Sequence, residues 1–148
     1  MVTWRLTLPL LRTYVDSGVL IWAAQGVSRN AEVALRFVGD PMREYVTSDY
    51  IRLEVIPKAT FHENHSELEF YETFFRANIR CIPTSESLIR NAMEEGCNTG
   101  ISGIDALHVA CAVFAGAEEF ITTEKITKPI YRTKLIKVIC IRPSEEAE

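Results

Sequence analysis

The sequence predicts an α/β protein built on a parallel sheet. Three observations carry that prediction. Short β-branched and aromatic runs recur along the chain, apolar helical stretches separate them, and the segment from 102 to 124 runs helix, loop, strand. At 148 residues, 47% hydrophobic and 24% charged, the chain has the size and composition of one globular domain with its own core. We read a single domain over 1–148 with a core spanning 12–141.

Residues 1–11 are apolar, but Arg5 and Pro9 interrupt them and no small-residue cleavage site follows, so they read as mature protein. No stretch approaches the roughly 20 apolar residues that span a bilayer. A strand over 12–15 ends on Asp16, Ser17 and Gly18, and a helix follows over 19–26. A second helix runs over 30–39, capped by Asn30 and closed by Gly39. After a strand over 45–47, Ser48 caps a helix over 49–56 that Pro57 bends or ends. A long amphipathic helix over 60–76 has Phe61, Leu68, Tyr71, Phe74 and Phe75 as its apolar positions. Beyond a strand over 79–82, a helix starts at Pro83, turns Leu88, Ile89, Ala92 and Met93 inward, and stops at Gly96. A loop over 97–103 leads to a mostly buried helix that Ser102 caps and Gly116 ends in a left-handed conformation, with Ile104, Leu107, Val109, Ala110 and Val113 as its apolar surface. Strands over 120–122 and 134–141 follow, then a loose acidic tail over 144–148.

A net charge of -4 excludes wholesale electrostatic attraction to nucleic acid. Contact with a polyanion therefore needs a local basic patch or metal ions. Lys125, Lys128 and Arg132 open a basic stretch that continues through Lys134, Lys137 and Arg142; it reads as a holder of RNA phosphates or as the solvated rim of an edge strand. Cys81, Cys97, Cys111 and Cys140 show no Cys-x-x-Cys spacing, which favours buried reduced thiols in a cytoplasmic protein. His62 and His65 have the spacing of helix neighbours, yet no nearby histidine or cysteine completes a metal site, so a solvated helix start is the reading. His108 lies one turn after Asp105, where packing against the core is a commoner use than orienting a carboxylate. Trp4 and Trp22 offer faces on which bases stack, though Trp22 sits in an apolar run that suits core or dimer packing.

Four acids remain: Asp16, Glu54, Asp105 and Glu124, each at or near a strand end or on the helix that follows. The carboxyl ends of parallel strands form the binding crevice of such sheets, so these acids are expected to converge. Helix capping is the competing use, Asp16 as an N-cap and Asp105 in a Ser-x-x-Asp capping box with Ser102. Converged carboxylates repel, and a hard divalent cation with oxygen ligands offsets that repulsion; Mg²⁺ or Mn²⁺ suits carboxylates, whereas zinc prefers histidine or cysteine. The expected catalytic set is Asp16, Glu54, Asp105 and Glu124, with Asp16, Asp105 and Glu124 on the metal and the hydroxyls of Ser17 and Thr122 in support. The chemistry such a site supports is phosphodiester hydrolysis.

Taken in order, Val-Asp16-Ser, Ser48-x-x-x-x-x-Glu54, Ile-Asp105-Ala-Leu-His-Val-Ala and Ile-Thr122-Thr-Glu124 resemble the PIN domain family over nearly the whole chain. The resemblance implies a three-layer α/β/α sandwich around a central, mainly parallel sheet, and Mg²⁺- or Mn²⁺-dependent cleavage of RNA. It also implies, as in VapC-type toxins, a cytoplasmic homodimer held inactive by a small antitoxin, with no membrane partner. Asp16, Glu54 and Asp105 match the family's three most characteristic acids, and Thr122 matches a hydroxyl two positions before the fourth. Glu124 stands where the family usually has Asp, and Gly18 where an Asn is frequent. Those departures motivate an alternative, a catalytically weakened PIN-fold module that binds RNA or protein. A phosphotransferase of the haloacid-dehalogenase type is set aside, because Gly18 occupies the place of that family's second acid.

Overall fold

A computed structural model describes residues 9–148; Trp4 and the reading of the first eight residues lie outside them. Five strands, β1 (Leu11–Val15), β2 (Arg43–Ser48), β3 (Arg80–Ile82), β4 (Glu119–Thr122) and β5 (Lys137–Cys140), form one sheet in the order β3-β2-β1-β4-β5. Every neighbouring pair is parallel. Parallel neighbours require crossovers, and six helices supply them: α1 (Ser17–Ala23), α2 (Arg29–Val38), α3 (Asp49–Phe61), α4 (His65–Ala77), α5 (Glu86–Thr99) and α6 (Gly103–Phe114). With right-handed crossovers, the connections running from β1 to β3 place α1–α4 on one face, and the return from β3 to β4 places α5 and α6 on the other. The packing agrees, α1 lying against α2 and α3, α3 against α4, and α5 against α6.

The central strands carry the burial that covering on both faces requires. Thr13, Tyr14 and Val15 of β1 and all of β4 are buried, and α6 buries everything from His108 to Ala112. Gly116 follows α6 with φ 74°, the left-handed stop expected from sequence.

Several elements depart from the sequence reading, each for a local reason. Helix α3 runs through Pro57 to Phe61. The bond that proline forfeits would have gone to Leu53, which is 68% exposed, so the freed carbonyl lies on the side where water can reach it. The long helix expected over 60–76 breaks at Glu63, which has φ 52°, and restarts behind Asn64, whose side chain accepts from the Glu67 amide at 3.2 Å. His62 and His65 therefore flank a break rather than share a helical face, and Phe61 is exposed. In α5 only Leu88 and Ala92 of the expected inward set are buried, Ile89 and Met93 being exposed. Gly96 lies inside that helix, and Gly100, with φ 72°, is the residue that ends it.

Helix α2 is capped by Ser28 instead of Asn30. The last strand begins at Lys137, after a 3-10 turn over Pro129–Arg132. The acidic tail is docked: Glu145 and Glu146 meet Arg29 at 2.9 and 3.2 Å, and the Ala147 carbonyl accepts from the Ile126 amide at 2.8 Å. Of the cysteines only Cys111 is buried, and Cys81 and Cys97 are exposed.

The corrected face of α5 has a measurable consequence. Leu88→Ala is expected to cost about 3 kcal/mol in urea unfolding, as for other fully buried leucines, whereas Met93→Ala stays within about 0.5 kcal/mol of the parent.

Candidate active site

Strand β1 is where the order of the sheet reverses: the chain leaves it toward β2 and β3, then returns to its other side with β4 and β5. The crevice of an open α/β sheet lies at the carboxyl ends of the strands on either side of such a point. Val15 pairs with Ile121 in register, so Asp16 leaves β1 beside Thr122, the last residue of β4.

Asp16 is the N-cap of α1, one oxygen accepting from the Ser17 amide at 2.9 Å. Its other oxygen accepts from the Thr122 hydroxyl at 2.7 Å, and that hydroxyl accepts the Glu124 amide at 3.1 Å. Capping and a place at the switch point of the sheet thus coincide in one carboxylate. Burial pushes its pKa up; the nearby His108, the Thr122 hydroxyl and the Ser17 amide pull it back only in part.

Glu54, from α3, is drawn to the same place. The Ser17 hydroxyl donates to one of its oxygens at 2.9 Å, and His108 Nε2 lies 2.5 Å from the other. Burial raises the Glu54 carboxyl, but the bonds from His108 and Ser17 outweigh it and leave the pKa below the usual carboxylate range. An ionised Glu54 only accepts, so His108 Nε2 is the donor. On its other side His108 Nδ1 shares a hydrogen bond with Tyr14 Oη at 2.8 Å, and Tyr14 Oη shares one with Ser48 Oγ at 2.8 Å. Burial holds the Tyr14 phenol well above its ordinary pKa, so it keeps its proton.

Ser48 also caps α3, the helix that carries Glu54. Tyr14, Ser48 and His108 were not among the expected site residues. The sequence signals for them were the capping place of Ser48, six residues before Glu54, and the turn between Asp105 and His108. His108 is both buried and bonded to a carboxylate, so its two readings from sequence are not alternatives.

Asp105 lies in the first turn of α6, and its amide donates to Ser102 Oγ at 3.2 Å. Its carboxylate does not complete the capping box; among the described residues it accepts no hydrogen bond, and neither does the Glu124 carboxylate. Tyr131 instead holds Glu124 by its backbone carbonyl, at 2.5 Å. The side chains thus fall into a bonded group of Asp16, Ser17, Glu54 and Thr122, with Asp105 and Glu124 standing apart from it. Among the described residues no three acids, histidines or cysteines come close enough to enclose an ion. The donors are nevertheless all oxygen, and two carboxylates keep their lone pairs free, which is the chemistry Mg²⁺ or Mn²⁺ takes.

The surroundings divide the basic residues. Arg132 donates to the Thr99 carbonyl at 3.2 Å, and Arg142 to that of Thr123, with its guanidinium 5.1 Å above the Trp22 ring. Lys125 and Lys128 are exposed and make no ion pair among the described residues. A cleft of about 230 Å³ beside Glu54 brings Lys58 and His62 to its wall, a cation outside the stretch expected from sequence. A Cβ on Gly18 would lie 2.3 Å from Thr123 Oγ1, so Thr123 fills the space that an Asn there would need.

The match to known proteins now decides the family. The model of the PIN domain matches residues 13–131, most of the chain. The chain belongs to the PIN domain family. No curated protein matches significantly. Among solved structures, the chain is similar to one in a toxin-antitoxin complex from Klebsiella pneumoniae, with TM-score 0.68 and 18% identity over 88% of this chain and 98% of that one. It is similar to one in a DNA-bound VapBC of Salmonella typhimurium, with TM-score 0.66 and 15% identity over 90% and 100% of the two chains. VapC20 of Mycobacterium tuberculosis, a sarcin-ricin loop cleaving toxin, gives TM-score 0.59 and 14% identity over 73% and 86%. At such identities the likeness is one of fold.

Two outcomes test the hydrogen-bonded group. Because the folded protein raises the Asp16 pKa, its neutral form is favoured on folding, and that stability is lost as pH climbs from the unfolded value through the folded one. In EDTA, Asp16→Asn is therefore expected to melt above the parent near pH 7 and to lose that advantage below about pH 4, near the unfolded pKa of aspartate. Tyr14→Phe leaves His108 Nδ1 and Ser48 Oγ without their shared partner and is expected to cost about 1–3 kcal/mol by urea unfolding.

Proposed function

We propose that this PIN domain is a divalent-metal-dependent endoribonuclease, the toxin of a toxin–antitoxin pair. The observation that most supports it is the meeting of Asp16 and Glu54, from separate segments, on Ser17 at the sheet's switch point. Asp16, Asp105 and Glu124 are the residues that would hold Mg²⁺ or Mn²⁺; bound there, the ion would supply an activated water and neutralise charge on the phosphate. Thr122 fixes the carboxylate of Asp16 and the backbone of Glu124 at once. Ser17 and His108 orient Glu54, whose side chain is 38% exposed and ionised, so that it accepts a proton from water. Lys125 and Lys128, free on the rim, take the RNA phosphates, with Arg132 beside them.

Family membership supports the nuclease reading, and the toxin–antitoxin complexes among the similar structures support a small antitoxin partner. Action as a homodimer in the cytoplasm belongs to the same proposal; among the described residues no single helix is long and apolar enough to cross a membrane. Two observations favour a second reading, a PIN-fold module that binds RNA or protein without cutting. The acids do not enclose an ion as placed, and Thr123 occupies the space beside Gly18.

Cleavage of a mixed RNA pool with Mg²⁺, Mn²⁺ or EDTA, beside an Asp105→Asn variant, separates the readings. Asn keeps the size and removes the charge. Cleavage is expected to require the divalent ion and to fall at least ~100-fold in the variant, beyond the 10–100-fold typical of an outer-shell partner. No cleavage by folded protein with either metal assigns the non-catalytic module, and cleavage indifferent to Asp105→Asn refutes this site.

A further inference from the structure

We propose that a second cavity, between the carboxyl half of α5 and the chain after the 3-10 turn, is a guanine-reading subsite for single-stranded RNA, with the Glu95 carboxylate as its reader. This inference takes its substrate class from the nuclease reading above. The cavity, about 370 Å³, is lined by Glu95, Asn98, Thr99, Arg132, Lys134 and Leu135, within the size range of small-ligand pockets. Glu95 is 6% exposed. Among the described residues its carboxylate makes no hydrogen bond and no ion pair, although two cations line the same cavity. Its oxygens are not sealed from the water of the cavity, so donors on a bound ligand can take the place of that water.

The walls are fixed before anything binds. Thr99 Oγ1 donates to the Glu95 carbonyl at 2.7 Å, and Arg132 donates to the Thr99 carbonyl at 3.2 Å. Short stretches of chain join the walls of the cavity to the acids. The end of α5 leads through Gly100 and Ser102 to Asp105, and Tyr131, next to Arg132, holds the Glu124 carbonyl. A strand whose phosphate lies at the acids can thus place a neighbouring base in the cavity.

The lining selects the base. Guanine presents two adjacent donors, N1–H and N2–H₂, with the O6 acceptor beside them on its Watson–Crick edge. A carboxylate takes both donors in a charge-assisted, two-pronged contact, and the Lys134 ammonium donates a hydrogen bond to O6. Adenine offers no such pair, and inosine lacks the N2 amine.

The test is equilibrium binding by fluorescence anisotropy, in EDTA, of uridine oligomers carrying one guanosine, inosine or adenosine. The parent protein is expected to bind the guanosine oligomer about tenfold more tightly than the adenosine one, since a good bidentate contact discriminates by about 1–3 kcal/mol, with inosine between. Glu95→Gln is expected to erase the preference of guanosine over inosine while still melting cooperatively. Lys134→Ala, at an exposed position, weakens guanosine and inosine alike and spares adenosine, which tests the subsite even if Glu95→Gln does not fold.

Equal affinity for the three oligomers, no binding of any, or a preference that survives both substitutions overturns the subsite. So does capture of a lysine- and arginine-rich peptide in the absence of base preference, which assigns the cavity to a protein partner. Cleavage in Mg²⁺ without base preference removes the subsite and leaves the nuclease; base preference without cleavage does the reverse.

Discussion

A carboxylate set against the carboxyl ends of two parallel strands organises one edge of this protein. Asp16 has lost most of its water, and an ionised group in that position persists only where donors replace what was removed. They come from Ser17 on its own helix and Thr122 on the neighbouring strand, so the position of the acid depends on the register of β1 against β4. A slip of one residue would turn Thr122 to the other face and leave Asp16 without its second partner.

From that point a chain of hydrogen bonds ties the elements together. Ser17 links α1 to α3 through Glu54, Glu54 links α3 to α6 through His108, and His108 links α6 to β1 and β2 through Tyr14 and Ser48. Members of both helical layers and two central strands thus fix one half-exposed carboxylate. Fully satisfied networks of this kind hold a unique geometry, because each member has nowhere better to turn. The opposite edge of the sheet carries its own network. Glu119, almost fully buried, accepts from Thr13 at 2.8 Å and from Arg43 at 2.6 Å, and Arg43 also meets Asp40 at 2.5 Å. A buried pair contributes little net stability, yet removing one partner is costly. The pair therefore enforces the register of β1, β2 and β4 at the edge away from the acids, which keeps Asp16 beside Thr122 at the other.

The strand and helix order, the parallel sheet, Ser48 and Ser102 as caps and Gly116 as a stop were legible in the sequence, because local propensity and periodicity decide them. The four acids were legible as candidates at or near strand ends; the folded chain joins Asp16 and Glu54 through Ser17 and leaves the Asp105 and Glu124 carboxylates outside that group. Local rules failed where a distant or solvent contact decided. Pro57 stays inside α3 because the freed carbonyl lies on the wet side, and Gly96 stays helical because Gly100 provides the left-handed stop. Ile89 and Met93 are exposed because only one stripe of α5 faces α6.

The site divides along the same line. Sequence named Asp16, Glu54, Asp105 and Glu124 and the hydroxyls of Ser17 and Thr122, but it could not say which would touch. Contact among residues as far apart as Tyr14 and His108 is set by strand order and crossover hand, which no window of sequence contains. Only the folded chain made His108 the partner of Glu54, sent Arg132 and Arg142 to backbone carbonyls and left Lys125 and Lys128 free. The sequence by itself determined the chemistry available to this protein, because residue types fix donors, acceptors and charges. Tertiary structure decided how that chemistry is arranged, because desolvation and hydrogen-bond geometry depend on neighbours that only folding brings together.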